Sequence, residues 1–67
     1  MKYNILIKEI REKLLITQTE LAEILDVSFA SVNRRENGRT EPTIKVKRKI
    51  RELCNDNNIE MEKYLYE

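Results

Sequence analysis

The chain of 67 residues holds a single glycine and a single proline, Gly38 and Pro42, and both fall inside one short stretch. Glycine loosens regular backbone and proline removes a donor from it, so the sequence on either side of 38–42 runs on without a strong breaker. Long uninterrupted periodic segments of this kind favour an all-α domain.

The apolar spacing supports this reading. Ile7, Ile10 and Leu14 recur at i, i+3 and i+7 and predict a first helix starting near Asn4 as its cap and ending around Leu15. Thr17-Gln18-Thr19-Glu20 has a capping-box pattern, in which the Thr17 hydroxyl accepts from a helix-end N–H while Glu20 reaches back. A second helix is therefore expected from Gln18, carrying Leu21, Ala22, Ile24 and Leu25 and running out at Asp26, a residue able to take a left-handed terminus. Ser28 is a good cap for a third helix through about Asn37, stopped by Gly38. Pro42 suits the first turn of a fourth helix, with Val46, Ile50, Leu53 and Cys54 on its apolar stripe. The run Asn55 to Asn58 should break it, and Asn57 with Glu60 predicts the cap of a last short helix holding Ile59, Met61, Tyr64 and Leu65.

Composition closes several routes to chemistry. Histidine is absent and Cys54 is the only cysteine, so the usual zinc-ligand sets and Ser-His or Cys-His nucleophilic pairs cannot be assembled from this chain. One cysteine allows no intramolecular disulfide, and a reducing compartment is the natural setting. Most acidic residues are expected on solvated helix faces, which argues against paired-carboxylate catalysis. No apolar run approaches the roughly 18–20 residues of a membrane span, and the start of the chain is too short in apolar residues for a signal peptide. A cytoplasmic protein that is not an enzyme and has no cofactor, metal, membrane or small-molecule partner is expected.

Charge is unevenly distributed, although its formal sum is only +1. Residues 1–27 carry four basic and five acidic side chains, residues 28–51 eight and two, and residues 52–67 one and five. A positive block in the middle of a nearly neutral chain has the look of a polyanion-binding face. Two short helices about three residues apart, with Ala22 small enough for close approach and Val27 and Val32 closing the space between them, describe a helix-turn-helix.

The sequence from Gln18 to Pro42, QTELAEILDVSFASVNRRENGRTEP, resembles the helix-turn-helix of the Cro/C1-type (phage-repressor-like, XRE-type) regulator family, and Ile7 to Thr17 resembles its first helix. The glutamine at a helix start, Leu-Ala three residues on and Glu-Asn-Gly closing the third helix carry the resemblance, which covers about residues 5–54. It implies a four- to five-helix lambda-repressor-like domain, with a helix-turn-helix core at about 17–38 and a third helix that enters the DNA major groove.

The same resemblance implies residue roles. Phe29 and Ala30 are candidates for contact with thymine methyl groups, and Asn33 and Arg34 for hydrogen bonds to base edges, Arg34 suiting guanine O6 and N7. Gln18, Ser28, Ser31, Asn37, Arg39 and Thr40 are candidate phosphate contacts, Gln18 from a helix N-terminus. Arg35 stands where an aromatic or aliphatic residue is common and is either a further phosphate contact or a solvated side chain. Arg11 and Glu36 match the positions of a partly buried ion pair joining the first and third helices. Leu15 and Asp26 occupy positions where glycine is usual, so their turns are expected to be slightly strained or differently shaped. Of Lys45, Lys47, Arg48, Lys49 and Arg51 only some can face DNA, and Cys54 reads as a small buried hydrophobe.

The expected function is sequence-specific binding of double-stranded DNA, most simply as a homodimeric repressor on an inverted repeat. Residues 57–67, with Ile59, Met61, Tyr64, Leu65 and Tyr66, are expected either as a dimer segment or as the part that closes the core of the domain itself. The alternative is a protein-interaction module, an antitoxin or adaptor, that uses the helix-turn-helix as scaffold and the acidic tail for a partner.

Overall fold

The computed structural model describes residues 3–65, within which five helices follow one another: α1 (Tyr3–Leu14), α2 (Gln18–Leu25), α3 (Phe29–Glu36), α4 (Ile44–Asp56) and α5 (Met61–Leu65). Each start from α2 to α4 has a hydroxyl cap. Thr17 Oγ1 accepts from Glu20 N at 3.1 Å while Thr17 N donates to Glu20 Oε1 at 2.8 Å, the full capping box. Ser28 Oγ accepts from Ser31 N at 3.1 Å, and Thr43 Oγ1 from Val46 N at 3.4 Å.

The stops share one device. Leu15, Asp26, Gly38 and Asn58 all have positive φ, at 56°, 58°, 74° and 56°. The residue after each donates its N–H back to the carbonyl five residues earlier: Ile16 to Arg11, Val27 to Ala22, Arg39 to Arg34 and Ile59 to Cys54, at 2.9–3.1 Å. This left-handed closure satisfies carbonyls that a helix end would otherwise leave open. Three of the four residues after the stop, Ile16, Val27 and Ile59, turn inward against the core, whereas Arg39 is exposed.

Three sequence expectations are corrected. Asn4 does not cap α1 but lies inside it, beside the corner at Gly38, where tertiary packing rather than a local cap decides its setting. Pro42 precedes α4 instead of entering its first turn, because the Thr43 hydroxyl makes the cap and Pro42 is buried just before it. Asn57 closes α4 rather than opening α5, its Nδ2 donating to Leu53 O at 2.9 Å, and Ile59 therefore sits in the connector, buried to 6% exposure. Tyr66 and the side chain of Leu65 lie outside the described residues.

The core gathers one face of every long helix: Leu6, Ile7 and Ile10 from α1, Leu21, Ala22 and Leu25 from α2, Val32 from α3, and Val46, Ile50 and Cys54 from α4. Burying each large aliphatic side chain contributes about 1.5–3 kcal/mol. Helices α2 and α3 pack together, α1 packs on α3 and α5, and α2 meets α4. The outer face of α3 is thereby left uncovered. Cys54 is buried, and that burial, followed by the nearby charge of Glu62, pushes its thiol up, as suits a packing residue and not a reactive one.

Candidate nucleic-acid interface

The turn between α2 and α3 is set by small residues and a left-handed stop. Ala22 is 3% exposed and Val32 is fully buried, so the two helices approach closely, with Val27 half-buried between them. Asp26 accepts the strained φ that glycine would take without cost.

Helical periodicity then sorts α3 into two faces. Val32 and Glu36 point inward, while Phe29, Ala30, Asn33, Arg34 and Asn37 share the outer side. Phe29 is 51% exposed. Ala30, Arg34, Asn37, Arg39 and Thr40 are exposed, and Asn33 is half-buried. Thus the four residues expected to reach bases lie together, and the Asn37–Thr40 corner adjoins them.

Beneath this face runs a continuous chain of side-chain hydrogen bonds. Arg11 Nε donates to Glu36 Oε2 at 2.8 Å and Arg11 Nη2 to Glu36 Oε1 at 3.0 Å. Gln18 Nε2 donates to the same Glu36 Oε1 at 2.9 Å, Asn33 Nδ2 donates to Gln18 Oε1 at 3.4 Å, and Asn37 Nδ2 donates to Asn33 Oδ1 at 3.1 Å. The expected pair of Arg11 and Glu36 is thus formed as a two-pronged bridge, and it extends further than the sequence indicated. Burial pushes the Glu36 carboxyl up, but hydrogen bonds from Arg11 and Gln18, with the charges of Arg11 and Lys8, outweigh it and hold the group below its ordinary value. The hydrogen bond to Glu36 raises Arg11 in turn.

Other side chains differ from their expected roles. Gln18 keeps its backbone N–H at the start of α2, yet its side-chain amide is engaged by Glu36 and Asn33 rather than standing open to a phosphate. The Ser28 hydroxyl serves as cap and donates to Ser31 Oγ at 3.1 Å, which leaves the Ser31 proton as the outward donor of the two. Arg35 is only partly open to solvent. It is half-buried, three residues beyond Val32 on the inner flank of α3, and its Nε and Nη1 are shut off from solvent without a hydrogen-bond partner. On α4, Lys47 is ion-paired with Glu41 and lies 5.1 Å from the centre of the Tyr3 ring, a structural setting that spacing alone did not reveal. Lys45, Arg48 and Arg51 are exposed, and Lys49 is half-buried.

Among the described residues no group of three or more His, Cys, Asp or Glu is arranged to hold a metal ion, and no helix is long and apolar enough to cross a membrane. The arrangement offers instead a cationic, hydrogen-bonding helix face with an apolar element at its start. A family model described as helix-turn-helix matches residues 7–61 of the chain. No curated protein and no solved structure matches it.

Proposed function

The chain belongs to the Cro/C1-type helix-turn-helix family, and from that membership we propose that it is a sequence-specific transcriptional repressor binding double-stranded DNA as a homodimer, with one α3 in each half of an inverted-repeat operator. Membership alone makes it a DNA-binding regulator in kind. The observation that supports the finer reading is the outward face of α3, where Phe29, Ala30, Asn33 and Arg34 stand together, and we assign the phosphate contacts to the start of α2 and the Asn37–Thr40 corner.

In this reading Arg34 grips guanine O6 and N7, and Phe29 and Ala30 meet thymine methyl groups. Ser31, Arg39 and Thr40, with the backbone N–H of Gln18, hold phosphates on either side and set the register. One domain reads half a site, and pairing two domains supplies both the affinity and the symmetry that an inverted repeat demands. The dimer contact is assigned to the C-terminal segment with the groove beside it, about 220 Å³ in volume, in which Tyr3, Ile44 and Met61 lie among the charged Lys47, Arg48, Arg51 and Glu62. Ile44 in that groove is 66% exposed, an apolar surface that a second copy would cover.

Selection of bound sequences from random duplex DNA by the purified protein, at two salt concentrations, tests the proposal, since nonspecific affinity falls steeply with salt. Enrichment of an inverted repeat that survives the higher salt is expected. Weak, salt-sensitive binding with no enriched sequence would instead favour a protein-interaction module.

A further inference from the structure

The Glu36 carboxylate is 2% exposed and, when ionised, can only accept hydrogen bonds. Gln18 must therefore meet it with Nε2, because the opposite amide orientation would set an oxygen against an oxygen. With Nε2 spent on Glu36, Gln18 turns Oε1 toward Asn33 and can be answered only by Asn33 Nδ2, at 3.4 Å. Asn33 Oδ1 then faces Asn37, which answers with its own Nδ2 at 3.1 Å. A buried charge thus dictates the donor-acceptor direction of three successive amides, the middle one of which lies on the outer face of α3.

An asparagine alone on a helix surface can rotate its amide by half a turn and offer its donor or its acceptor at the same point. Asn33 cannot do so without breaking two hydrogen bonds. Of its two Nδ2 protons one is committed, and of its two Oδ1 lone pairs one is committed, which leaves one donor and one acceptor in fixed order. Adenine presents that complement in the major groove, an acceptor at N7 and a donor at N6.

We propose that Asn33 reads an adenine in each half-site and that Gln18, without touching the base, is the positioning residue that fixes which way the Asn33 amide points. The inference rests on the DNA-binding reading above. It gives the Gln18 side chain a different task from holding phosphate, and it makes Glu36 a determinant of base preference as well as a partner of Arg11.

The test uses the full chain in wild-type, Gln18→Met, Asn33→Ala and doubly substituted forms, with sequence selection followed by competition among duplexes that differ only at the base pair assigned to Asn33. Wild-type protein should prefer adenine there by about tenfold. Gln18→Met should bring the ratio of affinities between the adenine duplex and the other three toward one, and adding it to Asn33→Ala should cost no further discrimination. Asn37→Ala, at the exposed end of the chain of amides, should relax the preference in part and covers the case in which Gln18→Met does not fold. Uniform weakening of all four duplexes by Gln18→Met, or an unchanged base profile in Asn33→Ala, would overturn the inference and leave the regulator reading standing. Failure of the wild-type protein to enrich any sequence would remove that reading itself, and this inference with it.

Discussion

Arg11 and Glu36 are joined by two parallel hydrogen bonds of 2.8 and 3.0 Å, so that the carboxylate closing α3 is clamped to the last turn of α1. The Arg11 side chain retains 27% exposure and Glu36 only 2%, which makes the two ends of the bridge unequal. Removing the acid leaves an arginine that can still reach water. Removing the base leaves a buried anion with little compensation.

Arg11→Met should therefore destabilise the domain by about 2–3 kcal/mol, less than for a fully buried pair because one partner is partly solvated. The pH dependence should also reverse. In the wild type Glu36 sits lower in the folded chain than in the unfolded one, so its contribution is complete above an ordinary carboxyl value of about 4.3 and is lost as pH falls through the lower folded value. In Arg11→Met burial dominates and raises the group, so this variant should gain stability as pH drops from neutrality toward 4. Thermal melts of both proteins between pH 7 and 3 check this: the gap between them should narrow with acid, and a constant gap would refute it.

Leu15→Gly should stabilise the protein by about 0.5–1 kcal/mol, since the left-handed backbone strains a leucine more than glycine's extra freedom costs the unfolded chain. Leu15 is 90% exposed, so little packing is lost. Gly38→Ala should do the opposite by about 1 kcal/mol, from its φ of +74° alone, because a Cβ there would meet Asn4 at an ordinary 3.6 Å. Denaturant midpoints of the two variants, moving in opposite directions, would bear out the shared stop geometry.

Ala22→Leu should cost about 1–3 kcal/mol by forcing α2 and α3 apart, Ala22 being 3% exposed. Loss of specific DNA binding at temperatures where the variant remains folded by circular dichroism is the expected signature, because the change alters the seating of α3 before it unfolds the domain.

Arg34→Ala should cost roughly 1–3 kcal/mol of specific binding and relax preference at one base position, while Arg39→Ala should weaken all duplexes about equally and flatten the salt dependence by about one phosphate's worth. Titrations of operator and scrambled duplexes at several salt concentrations distinguish the two patterns. A uniform loss in Arg34→Ala would reduce it to a phosphate contact.

Much of the fold was legible because its punctuation is local. The Thr17–Glu20 box, the Ser28 cap and the Gly38 stop each act within three or four residues and appear where the sequence indicated them. Asn4 and Asn57 misled because asparagine serves equally as a cap, a closing donor or an interior residue, and the choice is made by what packs nearby: the Gly38 corner for Asn4, the Leu53 carbonyl for Asn57. The resemblance supplied the pair of Arg11 and Glu36, but the extension through Gln18 to Asn33 joins residues 15 positions apart on different helices, and no spacing rule announces it. Arg35 escaped for a similar reason, since a charged residue on the inner flank of a helix reads as a surface residue until the helix is seated.

The four left-handed stops have a consequence in time as well as in shape. Each is completed by a hydrogen bond spanning only five residues, so the bends between α1 and α5 can form before distant parts of the chain meet. Helices of eight residues, such as α2 and α3, are marginal alone, yet a chain whose corners are written locally searches few wrong arrangements while they dock. Small helical domains of low contact order fold in microseconds to milliseconds, and here that speed would come from the corners rather than from the helices they join.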